Sequence, residues 1–241
     1  MSSSRKNSED ARVVREVRVE DLLGRLNEVE ERNSPGTLFA IGETSLLHGT
    51  PRAAIVGARD ASELGLARAR KLARLLARRG VVVVSGLAEG IDTAAHWAAI
   101  RAAGRTVGVL GAPLDVVFRQ ADVALRTLME REHLVVSQFP AGHPVLRSNF
   151  PRRNRTMALL SHATVIIEAS DSSGSLSQGW EALRLGRPLF ILKSVADDPR
   201  LTWPAEMTRY GATVLSESGV EALFDALPPP EEPGWLDRLA F

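Results

Sequence analysis

No cysteine occurs among the 241 residues, which excludes disulfides, thiolate metal sites and cysteine nucleophiles together. No apolar run approaches the ~20 residues that a membrane-spanning helix needs. Neither sign of charge dominates, because 30 Lys and Arg stand against 29 Asp and Glu and leave a net +1. A broadly basic, nucleic-acid-coating surface is therefore not expected, and any anion site must come from local clustering. The opening Met1-Ser2-Ser3-Ser4-Arg5-Lys6 lacks the apolar stretch of a signal peptide. The expectation is a cytoplasmic protein with no membrane partner. The five histidines, His48, His96, His133, His143 and His162, show no metal-ligand spacing, and structural roles are expected for each.

What is present reads as one soluble α/β domain with short extensions: 44% hydrophobic and 24% charged residues in a length that can bury a sizeable core. Residues 1–10 are polar and expected to be disordered. Leu22, Leu23, Leu26 and Val29 recur at helical spacing, which predicts one amphipathic helix over 19–32, ended by Asn33-Ser34-Pro35-Gly36. Its apolar face would pack on the main domain or on a second copy of the chain. Strands are expected at 38–41, 53–56, 81–84, 106–110, 134–137, 163–167 and 188–192. Helices fall between them, notably over 62–79, 90–103 and 176–185, and a last one covers 220–227. Val81-Val82-Val83-Val84 has no polar alternation, as in a central parallel strand covered on both faces. The alternation predicts a doubly wound, mostly parallel sheet, with ligands beyond the carboxyl ends of its strands. The chain divides into an N-terminal tail and helix (1–36), a Rossmann-like core (37–227) and a proline-rich tail (228–241).

Four loops at strand ends suit anions. Gly57-Ala58-Arg59 would place Arg59 over the sheet edge. In Ser85-Gly86-Leu87-Ala88-Glu89-Gly90, the glycines permit a tight turn and close backbone approach to a phosphate at a helix start. Gly111-Ala112-Pro113-Leu114-Asp115 ends the next strand, and Ser172-Ser173-Gly174-Ser175 offers hydroxyl donors without charge. Phe150-Pro151-Arg152-Arg153-Asn154-Arg155 then sets three arginines at a helix start, with Pro151 suited to its first position. A solvated basic helix start paired with surface carboxylates would look the same from the hexapeptide alone.

Taken in order, Ala54-Ile55-Val56-Gly57-Ala58-Arg59, the 85–92 loop with His96, Val109-Leu110-Gly111, Asn149 with the hexapeptide, and Ser173-Gly174-Ser175-Leu176 resemble the DNA-processing protein A (DprA, also called Smf) family over about 38–215. The resemblance implies an extended Rossmann-like domain that binds single-stranded DNA in a basic pocket, forms a homodimer and delivers strands to the recombinase during natural transformation. It carries Arg59, Asn149, Phe150, Arg152, Arg153 and Arg155 over as DNA contacts, with Gly57, Ser85, Gly86, Gly90, Asn154, Gly174 and Ser175 completing the candidate phosphate site. No cofactor and no catalytic residue is implied.

The chain departs from the family pattern in three places. It has no room for a full N-terminal helical domain and C-terminal winged helix. Ser137-Gln138-Phe139-Pro140 replaces Ser-Glu-Phe-Pro, and Ser177-Gln178-Gly179 replaces Ile-Thr-Ala. The same fold hosts nucleotide-cleaving phosphoribohydrolases and nucleotide-signal sensors, which form the alternative reading. In the hydrolases a glutamate follows the glycine loop where this chain has Gln178, and an amide is no general acid or base. Glu168 is the one carboxylate near the expected pocket that invites attention.

Overall fold

The valine run forms the middle of a nine-stranded sheet. The computed structural model describes residues 13–118 and 122–229. Its strands are β1 (Arg15–Arg18), β2 (Thr37–Gly42), β3 (Arg52–Val56), β4 (Val82–Ser85), β5 (Thr106–Leu110), β6 (Leu134–Ser137), β7 (Ala163–Ile166), β8 (Leu189–Leu192) and β9 (Thr213–Leu215). Their spatial order is β1-β2-β6-β5-β4-β3-β7-β8-β9. From β6 to β9 every neighbouring pair is parallel, while β1 and β2 add an antiparallel ribbon at one edge. The expected α/β class, doubly wound and mostly parallel, is the observed one.

Alternate residues of β3 separate two cores. Ala53 and Ile55 face α3 (Glu63–Arg78) and α4 (Ile91–Arg101), whose Ala69, Leu72, Leu76, Ala95 and Ala99 are buried against the sheet. Ala54 and Val56 face the opposite layer, where α6 (Asn149–Leu160) and α7 (Ser175–Arg184) pack side by side. Between α4 and α6 in sequence, α5 (Val123–Glu132) closes a smaller cluster with Ile41, Leu110 and Val135. The chain finishes with α8 (Lys193–Ala196), α9 (Trp203–Arg209) and α10 (Glu221–Asp225) around β8 and β9.

The single helix expected over 19–32 is two short helices, α1 (Val19–Leu23) and α2 (Glu28–Asn33). Gly24 takes φ 76°, a conformation that costs glycine little and stops α1. Asn27 then starts α2 with a reciprocal cap: its side chain accepts from the Val29 and Glu30 N–H groups, and Glu30 Oε2 accepts from the Asn27 N–H at 3.0 Å. Val19, Leu22 and Leu26 are buried in the chain's own core, whereas Val29 is exposed. Burying each such leucine contributes roughly 1.5–3 kcal/mol. The amphipathic face is thus used internally, and the dimer expected from it loses that support. The ribbon strand β1 had no apolar alternation to announce it; its pairing with β2 joins the segment before residue 37 to the sheet. The tails expected over 1–10 and 230–241 lie outside the described residues.

Candidate functional site

Progress along the sheet reverses at β3, with β4, β5 and β6 to one side and β7, β8 and β9 to the other. Beyond the strand ends at such a switch point, loops diverge and leave a crevice. The loops after β3, β4 and β7 and the first turns of α6 enclose two adjoining clefts. The larger, about 570 Å³, lies between Gly57, Asn154, Met157 and the serines 170–177. The smaller, about 290 Å³, is walled by Leu87, Glu89, Leu110, Phe118 and Phe150. Arg59, Ala88, Phe150 and Arg153 line both.

Arg153 is buried at their junction. Its Nε donates to Asn154 Oδ1 at 2.9 Å and its Nη1 to the Val109 carbonyl at 2.7 Å, while Nη2 has no hydrogen-bond partner among the described residues. Asp92, in the first turn of α4, is buried nearby. Burial raises the Asp92 carboxyl above the usual carboxylate range, against the opposing pull of Arg153 and Arg59. Burial likewise lowers the Arg153 guanidinium, and Asp92 works to hold its charge. Gly86 makes the arrangement possible: a methyl group there would collide with both Arg153 Nη1 and Asp92 Oδ2.

His96 props up that glycine from behind. Its pKa is pushed down to about 4 by burial, so the ring is neutral at neutral pH. The Gly86 carbonyl, 2.5 Å from Nε2, can only accept, so Nε2 carries the proton. The Thr106 hydroxyl lies 2.6 Å from Nδ1 and 2.8 Å from the Val83 carbonyl, with one proton between these two acceptors. His96 therefore positions the β4 loop and does not bond to Asp92.

On the outer side, Arg59 is exposed and its Cζ stands 5.8 Å from the Phe150 ring centroid, in cation–π range. Phe150 is half-buried over Gly111, where an added Cβ would approach its Cδ1 to 2.8 Å. Phe118 faces it at 6.4 Å between centroids, tilted by 37°.

The basic hexapeptide is divided by its helix. The helix begins at Asn149, so Pro151 is its third residue and still within the first turn, where N–H groups lack partners. Arg153 and Asn154 turn into the clefts. Arg152 is exposed and lies over Phe139 at 5.2 Å, and Arg155 pairs through Nε with Glu181 Oε2 at 2.9 Å on α7; neither lines a cleft. Asn149 is fully buried, donating from Nδ2 to the Pro144 carbonyl at 3.0 Å. Ser85 is also fully buried, its hydroxyl on the Ile55 carbonyl at 2.6 Å. Neither side chain lines either cleft, and both are held locally, with Asn149 Oδ1 buried and unpartnered among the described residues.

The glycines and serines do converge. Gly57 lines the larger cleft, with Ile91 Cγ1 2.6 Å from where a Cβ would be. Gly90, at φ 81°, lets the chain turn into α4 against the Ala58 and Arg59 carbonyls. Gly174 and Ser175 open α7 beside the larger cleft, and the Ser175 hydroxyl is buried without a partner among the described residues. Asn154 Nδ2 reaches Ser177 Oγ at 2.5 Å and the Gly174 carbonyl at 3.2 Å. Gln178 is fully buried; oriented with donor facing acceptor, its amide donates to the Asn154 carbonyl at 2.5 Å and accepts from the Ala158 N–H at 3.2 Å. Glu168 caps α3, accepting from Ser62 N at 2.8 Å and Ser62 Oγ at 2.6 Å. Among the cleft residues that sequence reasoning missed, with Asp60 and Ser170, the aromatic Phe118 stands out. An aromatic soon after a glycine loop at a strand end was its only signal.

The sequence pattern of the family "DNA recombination-mediator protein A" matches residues 22–227. The chain belongs to this family. Among relatives, it is 32% identical over 194 residues to the DNA processing protein DprA of Bacillus subtilis, covering 80% of this chain and 65% of that one. Curated relatives of this kind are longer, and the chain spans between about half and two thirds of their length. Among solved structures, it superposes on DNA processing protein A from Streptococcus pneumoniae with TM-score 0.72 and 31% identity, covering 89% of this chain and 76% of that one. DNA processing protein A from Helicobacter pylori, whose structure concerns its single-stranded DNA binding mode, matches with TM-score 0.71 and 24% identity over 84% of this chain and 93% of that one, a likeness of fold. Family and fold agree with the resemblance drawn from the loops.

Proposed function

We propose that this chain binds single-stranded DNA without chemical turnover, with backbone phosphate at the glycine- and serine-lined cleft and a base against Phe150. The observation that carries the reading is the convergence of Arg59, Phe150 and Arg153 on both clefts, with Arg153 Nη2 unpartnered there. A charged donor beside small-residue walls suits phosphate, and a half-buried ring suits the sequence-tolerant stacking of a base. The non-catalytic reading rests on Gln178, an amide locked in packing where the hydrolases carry a glutamate, while Glu168 caps a helix and Glu181 pairs with Arg155 and Arg184. By likeness to the family, the protein would work in the cytoplasm as a homodimer that protects strands and passes them to a recombinase. Among the described residues no helix is long and apolar enough to cross a membrane.

The test is fluorescence anisotropy with labelled oligo-dT across a salt series. Affinity should fall with salt, and Arg59→Ala should weaken binding and lower the salt slope by about one ion. Binding indifferent to both would defeat the reading. The unpartnered Ser175 hydroxyl favours a second reading, a lone nucleotide phosphate held without turnover. Displacement of the oligonucleotide by micromolar mononucleotide or cyclic dinucleotide would put that reading first.

A further inference from the structure

The two clefts differ in chemistry. Glycines and serines make up much of the larger cleft's wall, where Asp60 and Asp92 also stand, whereas the smaller is walled mainly by Leu87, Leu110, Phe118 and Phe150. Into this apolar slot, beside Arg59 and Arg153, the β4 loop brings an exposed carboxylate, Glu89. Set in an apolar wall, this carboxylate is suited to accept hydrogen bonds from donors on a base.

We infer that the smaller cleft is a nucleobase slot in which Glu89 selects guanine. An ionised carboxylate only accepts hydrogen bonds. On the Watson–Crick edge, guanine alone sets two donors side by side, N1–H and the 2-amino group, matching the two carboxylate oxygens. Cytosine and adenine each offer one amino donor beside a ring-nitrogen acceptor that the carboxylate repels. Thymine sets its single N–H between two carbonyls and is the poorest match. Phe150, with Phe118 packed beside it, would offer an aromatic surface to one face of the ring, a contact every base can make, so stacking gives affinity and Glu89 gives the choice.

This rests on single-stranded DNA binding as proposed above, and the test separates the two. A labelled oligo-dT is compared with the same strand carrying one guanine, or one hypoxanthine, which lacks the 2-amino group. The full chain should bind the guanine strand about tenfold more tightly than oligo-dT, as for one bidentate base contact, with hypoxanthine between. Glu89→Gln should abolish that ranking, bringing the guanine and hypoxanthine strands to the same affinity as oligo-dT. Phe118→Ala should weaken all three strands together. Equal binding of the three strands by the unmodified chain, or a ranking that survives Glu89→Gln, overturns the guanine assignment while the DNA reading stands. Failure to bind any strand overturns both.

Discussion

Two buried arginines, one beyond each end of the central strands, have opposite fates. Arg52, at the amino end of β3, donates from Nε to the Leu160 carbonyl at 2.6 Å and from Nη1 to the carbonyls of Leu47 at 2.8 Å and Thr50 at 3.0 Å. Its Nη2 lies 3.1 Å from His162 Nε2 and its backbone N–H 3.0 Å from His162 Nδ1, with the one acceptor nitrogen of the neutral ring to serve them. Arg153, at the carboxyl end, has two anchoring bonds and a buried carboxylate nearby, and it lines both clefts with Nη2 unpartnered among the described residues. Burial lowers both guanidinium pKa values, Arg52 to about 10. A buried arginine bonded to backbone carbonyls ties segments together, whereas one that lines a cleft with fewer partners can grip a ligand.

Exchanging each arginine for an apolar residue should break the comparison most sharply. Arg52→Leu strands three carbonyls and should lower unfolding stability by about 3–5 kcal/mol, read as a fall in the urea midpoint. DNA affinity of the molecules still folded should hardly change. Arg153→Met should do the reverse, lowering affinity by about tenfold or more through the loss of a charge-assisted bond, with a smaller change in midpoint. Equal stability losses with no difference in affinity would erase the distinction.

Acid sharpens it, because each arginine region leans on a neutral histidine. Burial pushes the pKa of His96 down to about 4, and burial with Arg52 and Arg187 pushes that of His162 down to about 3. The unfolded chain takes up these protons near the ordinary 6.5, before the folded chain does, so stability is full above that pH and falls as pH drops toward 4. Asp92, raised by burial, pulls the other way over the acid range. Between pH 7 and 4.5 the fully buried His96 should cost on the order of 2–3 kcal/mol, and His96→Gln should flatten the dependence of the urea midpoint on pH. The smallest effect belongs to Arg155, half-buried against Glu181. Arg155→Ala should change stability by less than about 1 kcal/mol, and anisotropy should show DNA affinity within about threefold, since the side chain lines neither cleft.

The sheet was legible because apolar runs such as Val81-Val82-Val83-Val84 admit few other structures, and the glycine loops marked its carboxyl edge. The roles within the hexapeptide were not legible. Spacing places Arg152, Arg153 and Arg155 on one short helix, but only the packing of α6 against α7 and β5 decides which is buried. The local partners of Ser85 and Asn149 were hidden for a related reason: a polar residue in a glycine-rich loop or at a helix start reads as a free donor until its neighbours are known. The split of α1 from α2 turned on a glycine and a capping asparagine inside an otherwise good helical period.

The exchange between Asn154 and Gln178 has a mechanical consequence. Each amide crosses to the other helix, Asn154 to the start of α7 and Gln178 into the backbone of α6. The arginine-bearing wall and the serine-bearing wall of the larger cleft are therefore one stiff jaw. Any widening to admit a strand must come from the opposing jaw, the Gly57-Ala58-Arg59 turn, whose hold on its surroundings is the backbone bonds of Ala58 to Glu168 and Ile91.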